Sequence, residues 1–328
     1  MIRNVLFGAM ASSLVILAGC SQQADPAATD DTAGTETGAL AGTDAALDDA
    51  LVDGMESEPA GPDLTVLGNV IAGDWREADA ERDAFRHPAE TLEFFGIDPS
   101  GTIIEIWPGS GWYTDVLAPW IAANGGQYVA AHFSLSSDST TRRNARSAFE
   151  AHVADHELFG NIRTVDFGQN SGDLVEPGTA DAVLTFRNVH NWMMFGYAEK
   201  AFDDFYTALR PGGVLGVVDH RLSSTREQDP QARSGYVQQD YVIALAREAG
   251  FEFVDASEIN ANPADTGDHP FGVWTLPPVR ESAARGEPMA PDFDRDFYDS
   301  IGESDRMTLL FRKPLEAEAS ATEGDGEE

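Results

Sequence analysis

Three kinds of residue in this chain could do chemistry: histidines beside acids, a glycine loop behind an acid, and a few arginines in an otherwise acidic sequence. His190 lies in Arg187-Asn188-Val189-His190-Asn191-Trp192, directly after the apolar run Asp181-Ala182-Val183-Leu184-Thr185-Phe186. An imidazole there is placed to act as a general base, since its ordinary pKa lies near neutrality. Packing among the aromatic residues of that segment accounts for it equally. Asp268-His269-Pro270 offers a second pair, in which the acid would orient a basic imidazole. An Asp that hydrogen-bonds to backbone before a proline is the plainer reading. Arg82, Arg86 and His87 are expected to pair with the nearby Asp79, Asp83 and Glu90, the alternative being a ligand carboxylate. His132, His190, His220 and His269, with Asp219 and Asp268, lack any His-x-x-x-His spacing, so no metal site is expected. There is no Gly-x-Ser-x-Gly elbow.

The glycine loop is the most organised of these features. Thr102-Ile103-Ile104-Glu105-Ile106 reads as a buried strand, because β-branched residues suit a pleated surface. It runs through Trp107-Pro108-Gly109-Ser110-Gly111 into apolar positions at helical spacing (Val116, Leu117, Trp120, Ile121), which stop at Asn124-Gly125-Gly126. Strand, glycine loop and helix together form a receiver for a nucleotide-like ligand. Glycine lets backbone approach the ligand, and a helix N-terminus supplies free N–H groups. A nicotinamide fingerprint is disfavoured, since its third glycine would fall at Thr114 and no acid ends the second strand.

Further strands are read at Gln127–Phe133, Ile162–Phe167, Asp181–Phe186, Val214–His220, Phe251–Val254 and Arg306–Lys313. Helical patterns lie between them, over 142–158, 197–209 and 236–249, and residues 74–97 read as helix broken at Arg86-His87-Pro88. This alternation predicts an α/β, Rossmann-like sheet of seven mostly parallel strands with helices on both faces. Ligands then lie outside the carboxyl ends of the strands.

The chain carries 56 acidic against 21 basic residues, a net charge of −35 over 328 residues. That argues against nucleic acid or an anionic membrane surface as partner. The single cysteine rules out a disulfide framework. It stands in Leu17-Ala18-Gly19-Cys20, after a short basic start and an apolar core at Val5–Leu17. This segment resembles a bacterial lipobox, so residues 1–19 are expected to be a lipoprotein signal peptide and Cys20 the lipidated residue. Ser21 behind it implies the outer membrane, facing the periplasm, with the membrane reached through the lipid anchor alone. Residues 20–72 read as a disordered acidic linker, 73–315 as the folded domain and 316–328 as a disordered acidic tail.

Several pieces together resemble a class I S-adenosylmethionine-dependent methyltransferase. They are Glu105 with Gly109-Ser110-Gly111, Asp166-Phe167 after the third strand, Asp181-Ala182-Val183 opening the fourth, Leu209-Arg210-Pro211-Gly212-Gly213 before the fifth, and the closing Phe311-Arg312-Lys313-Pro314. More narrowly, Arg86-His87-Pro88-Ala89-Glu90, Glu105–Gly109, Ala261-Asn262-Pro263 and Asp268–Trp274 are similar to a bacterial group of predicted methyltransferases. The resemblance implies the class I methyltransferase fold, S-adenosyl-L-methionine as cofactor and a small-molecule methyl acceptor. By the same resemblance Glu105 would orient the loop or meet the cofactor's amino group. Backbone at Trp107, Gly109 and Gly111 would lie along its methionine part and ribose. Asp166 and Phe167 would meet adenine, and Arg187 and Asn188 would lie beside the methionine part and the substrate.

Two positions depart from the family pattern. Trp107 replaces the loop's first glycine, and can either close over a sulfonium through its indole face or fill the pocket itself. The second strand ends in His132-Phe133 instead of an acid, which leaves His132 as the candidate acceptor for the ribose. Trp107, Trp112, Tyr113 and Trp192 suit an aromatic or apolar substrate, or a packed core. The alternative to an enzyme is an exported binding or scaffold protein that keeps the fold.

Overall fold

Seven strands build the sheet: β1 (Thr102–Ile106), β2 (Gln127–His132), β3 (Arg163–Asp166), β4 (Ala180–Phe186), β5 (Leu209–Leu222), β6 (Glu252–Ser257) and β7 (Arg306–Arg312). The computed structural model that shows this describes residues 62–315 apart from residue 155. The order across the sheet is β3-β2-β1-β4-β5-β7-β6. Neighbours pair in parallel except β7, which runs antiparallel to both β5 and β6. A two-residue strand, Val237–Gln238, pairs in parallel with the end of β5. This is the Rossmann-like topology of the class I methyltransferase fold, as the sequence predicts.

The helices are α1 (Leu67–Ile71), α2 (Asp83–Arg86), α3 (Pro88–Phe95), α4 (Thr114–Ala123), α5 (Thr140–Val153), α6 (Val189–Phe195), α7 (Ala198–Ala208), α8 (Gln239–Glu248) and α9 (Arg295–Ile301). Strand side chains alternate between two cores, because the pleat has a period of two. Ile103 packs with Leu92 and Phe95 of α3, Val116, Leu117 and Ile121 of α4, and Phe149 of α5. Ile104 and Ile106 pack on the other face with Trp192 of α6, Phe202 and Phe205 of α7 and Leu245 of α8. Among the described residues no helix is long and apolar enough to cross a membrane.

Three expectations are corrected. Residues 62–72, expected as linker, are ordered in the described structure. Val70 of α1 is fully buried, and Trp120 Nε1 donates to the Thr65 carbonyl at 3.2 Å, so the end of the expected linker is part of the core. Residues 74–82 form two single-turn 3-10 helices, and His87, at φ +41, turns the chain between α2 and α3, where Pro88 opens the next helix. Arg210-Pro211-Gly212-Gly213 does not turn before β5. It lies within the strand as a bulge, with Gly212 at φ +78 and a register shift opposite Ala180 and Ala182. The signal peptide, Cys20, the rest of the acidic linker before residue 62, and the acidic tail lie outside the described residues.

Candidate functional site

The loop after β1 is built as a receiver. Gly109 and Gly111 take φ +65 and +106, which side chains rarely adopt, and a Cβ on Gly111 would meet the His152 ring at 2.9 Å. A Cβ on Gly109 would meet nothing within 4 Å. Asn188 ties the loop's base to β4, since its Nδ2 donates to the Ile106 carbonyl at 2.9 Å and lies 3.3 Å from Thr185 Oγ1. Asn188 therefore holds the loop's backbone together and is not turned towards a ligand.

Trp107 fills the cleft beside this loop. It sits at φ +49, is 8% exposed, and its indole N–H donates to the Phe167 carbonyl at 3.3 Å. Its ring packs on Phe133 at 4.5 Å, and on Phe167, Trp192 and Tyr197 at 6.0 to 6.3 Å between centroids. These rings come from the ends of β2 and β3 and from α6 and the start of α7. The indole thus occupies the space between the carboxyl ends of the strands that would face adenine.

The other residues assigned to the cofactor are also engaged by the protein. Glu105 is buried in the core. It accepts from Tyr128 Oη at 2.5 Å and Thr114 Oγ1 at 3.3 Å, and burial pushes its carboxyl up to about 7 although those bonds pull it down. His132 is fully buried. Its Nδ1 accepts from the Phe133 N–H at 2.8 Å, so its Nε2 is the donor facing the Gly109 carbonyl at 3.3 Å. Burial lowers its pKa to about 4, and no acceptor remains for a ribose. Asp166 is half-exposed and paired with Arg146 at 3.3 Å. The chain's residues, with the cleft filled by Trp107, do not fit S-adenosylmethionine in the manner the resemblance implies.

A second cluster lies at the carboxyl ends of β4 and β5, and it is polar. Asp219, in β5, is fully buried. Its Oδ1 accepts from His190 Nδ1 at 3.0 Å and its Oδ2 from the His190 backbone N–H at 3.0 Å, while the His220 backbone N–H adds a bond of 2.8 Å. His190 Nδ1 is therefore protonated, and its Nε2 has no partner among the described residues. The His220 ring lies 5.1 Å from that of His190, and its Nδ1 is 2.5 Å from Ser304 Oγ. Burial first, then His190, Arg187, Arg306 and Arg86, hold His220 well below the usual imidazole range, so it is neutral. His190, Asp219 and His220 place three potential metal-binding atoms within 4.8 Å of one another. The three N–H bonds already on Asp219 and the arginines around the site favour an acid–base pair over a cation site.

Glu303, next to Ser304, gathers the arginines. Its carboxylate accepts from Arg82 Nε at 2.7 Å, Arg86 Nε at 3.2 Å and Arg306 Nη1 at 3.0 Å. Arg82 and Arg86 thus pair with a residue more than two hundred positions away, and not with Asp79, Asp83 or Glu90 as expected. Burial works against the Glu303 carboxylate, but Arg86, Arg306, Arg187 and Arg82 more than offset it and hold its pKa at about 2. Arg187 takes φ +64 at the end of β4, and its guanidinium acts on Glu303 through charge, with no hydrogen bond among the described residues.

The proposed Asp268–His269 pair does not form. His269 Nε2 lies 2.7 Å from Asp265 Oδ1, Asp265 also accepts from Tyr236 Oη at 3.0 Å, and Asp268 bonds to Thr266 at 2.5 Å. His269 therefore anchors a loop. Glu303, Ser304 and Arg306 were not legible as site residues in the sequence, though one signal could have found them. The last strand of this fold is antiparallel, so the residues before it lie at the same edge as the carboxyl ends of the others.

No protein-family model matches the chain, and a search of curated proteins finds no match. Among solved structures it is similar to a SAM dependent methyltransferase from Aquifex aeolicus, at 14% identity over 60% of this chain and 93% of that one, with a TM-score of 0.43. It is similar also to the CcbJ methyltransferase from Streptomyces caelestis, at 14% identity over 72% and 97%, TM-score 0.44. The 4+2 cyclase SpnF matches at 17% identity over 70% and 81%, TM-score 0.47. These are distant likenesses of fold.

Proposed function

We propose that the protein is a small-molecule enzyme built on the methyltransferase fold, with His190 as its proton acceptor at the ends of β4 and β5. The observation that carries this reading is the His190–Asp219 pair. Asp219 fixes the tautomer with Nδ1 protonated, turns the unpartnered Nε2 outward as a base, and stabilises the imidazolium formed on proton uptake. A site that needs no cytoplasmic cofactor also suits an exported lipoprotein, the location that the segment before Cys20 suggests.

The test is nitrogen-15 NMR of the histidines together with diethyl pyrocarbonate modification. His190 should show the Nδ1–H tautomer and react at Nε2, and His190→Gln should remove that reaction. An Nε2–H tautomer, or an unreactive His190, would end the reading.

A second reading keeps S-adenosylmethionine as methyl donor, with Trp107 swung out of the cleft. One observation favours it: Trp192 Nε1 and Tyr197 Oη, on rings that pack against Trp107, are buried without partners, and an adenine could satisfy them. Calorimetry of the parent chain with S-adenosylhomocysteine separates the two. Heat abolished by Gly109→Val restores the methyltransferase, and no heat leaves the acid–base enzyme.

A further inference from the structure

We propose that the arginine cluster beside His190 is a receptor for a dianionic oxyanion, a phosphate monoester group being the match in charge and shape. The inference deepens the reading above by naming the chemistry of its substrate. It begins from an imbalance. Three guanidiniums, those of Arg82, Arg86 and Arg306, bond to the single carboxylate of Glu303 and Arg187 adds its charge, in a chain with nearly three acids for every base. Asp219, bound to a neutral His190, is the other acid of the cluster, so four arginines face two carboxylates and leave a deficit that a dianion would fill.

The hydrogen bonds show where such a group would be received. Arg306 is satisfied, by Glu303, the Ser304 carbonyl at 3.2 Å and the Phe85 carbonyl at 2.6 Å. Arg86 and Arg82 are not. Arg86 is 2% exposed, yet its Nη2 has no hydrogen-bond partner, and the Nη2 of Arg82 is likewise buried and unpaired. A buried guanidinium N–H without an acceptor is costly, and more so when charged. Arg187 adds a fork that makes no hydrogen bond among the described residues and meets Glu303 through charge alone.

The walls keep these groups in place. The Arg86 guanidinium lies 4.4 Å over the Trp112 ring, and its carbonyl accepts from Tyr113 Oη at 3.2 Å. Tyr113 in turn stacks on Phe186, the residue before Arg187, at 3.5 Å and 10°. Two forks with fixed orientation suit the tetrahedral oxygens of a phosphate better than a point charge would. Burial, with Arg82 and Arg306, brings the Arg187 guanidinium down to about 10 although Glu303 pulls it up, the direction expected where a further anion is missing. His190 adjoins the cluster through His220, whose ring lies 5.1 Å from its own and feels the charges of Arg187, Arg306 and Arg86, so a substrate held by its phosphate would present the rest of its carbon skeleton to that base.

The experiment is isothermal titration calorimetry of the full chain with sodium phosphate, methyl phosphate and sodium acetate in turn at neutral pH. Phosphate and methyl phosphate should bind at one site per chain and acetate far more weakly. Arg187→Gln should weaken phosphate by roughly 10- to 100-fold, the worth of a charged hydrogen-bonding pair. Arg187→Lys should recover part of this. Arg82→Gln is the second variant should the first not fold, and a fall in phosphate affinity is expected from it also. Phosphate that gives no heat at high millimolar concentration overturns the proposal, as does equal affinity in Arg187→Gln and the parent. If that happens while His190 reacts at Nε2 as described, the anion receptor is lost and the base stands. Acetate binding as tightly as phosphate also overturns it, in favour of a carboxylate.

Discussion

Replacing Trp107 by glycine tests the central claim about the filled cleft, because it removes the indole and restores the residue the family carries there. Trp107 is nearly fully buried, and truncating a tryptophan in a core costs about 3–5 kcal/mol. Its φ of +49 works the other way, since a left-handed backbone costs about 1–2 kcal/mol for a residue with a side chain and glycine escapes it. The net loss is roughly 1–4 kcal/mol, which in a domain of this size lowers the melting temperature by roughly 2–16 °C. The cavity left behind is walled by Phe133, Phe167, Trp192 and Tyr197, with the Phe167 carbonyl as a free acceptor. Indole or an adenine-bearing compound should refill it, and a ligand at a hundred times its dissociation constant restores about 2.7 kcal/mol. Differential scanning calorimetry should therefore show Trp107→Gly melting well below the parent and recovering with indole. Titration with S-adenosylhomocysteine should give heat with the variant and none with the parent. The reasoning fails if the parent binds it as tightly as the variant, or if a folded variant takes up neither compound.

Three further outcomes are expected. Glu105 is held near 7 by burial against an ordinary value of 4.5, so the folded chain keeps a proton that the unfolded chain loses between those values. Its contribution to stability therefore falls as pH rises through that window, by roughly 3 kcal/mol. Urea denaturation above neutrality should find Glu105→Gln more stable than the parent, with no such gap in mild acid. Asp219→Ala would orphan the backbone N–H groups of His190 and His220 and the His190 ring N–H, and should cost on the order of 3 kcal/mol or more in denaturant, with Asp219→Asn milder. Cys20→Ala should leave the chain unacylated by mass spectrometry and in the soluble fraction; an acylated product would refute the lipobox reading.

The sheet was legible because its strands are apolar and β-branched and are separated by helical periodicity. β1 has the bounds its residues predict, and most other strands differ by a residue or two. Residues 62–72 were not legible. Asp63 is their one acid, and their aliphatic residues make too short a run to stand alone; what orders them is distant, the Trp120 and Asn124 side chains reaching back to the Thr65 carbonyl. Local pairing misled in the same way twice. Asp268 stands next to His269, but the turn gives His269 to Asp265. Arg82 and Arg86 have acids within a turn, but the antiparallel β7 delivers Glu303 to them. His190 was legible as a candidate base because the end of β4 lies at the ligand edge whatever the details of packing.

Trp107 and Arg187 share one unusual property, and it connects the two halves of that edge. Both are residues with side chains held at positive φ, and they follow β1 and β4, the two strands paired at the centre of the sheet. A left-handed backbone is held only where the surroundings over-determine it, and such residues gather at functional positions. Asn188 joins them, since its amide reaches the Ile106 carbonyl while its backbone continues from Arg187. The strain at Trp107 turns an indole into the cleft between β1 and β3, and the strain at Arg187 presents a guanidinium to the cluster around Glu303. One sheet edge thus closes its usual ligand site with its own side chain and assembles charge and an oriented imidazole on the other side of the same crevice. Relieving the strain at one residue should leave the other's role intact, so Trp107→Gly should bind phosphate as the parent does while gaining the adenosyl ligand.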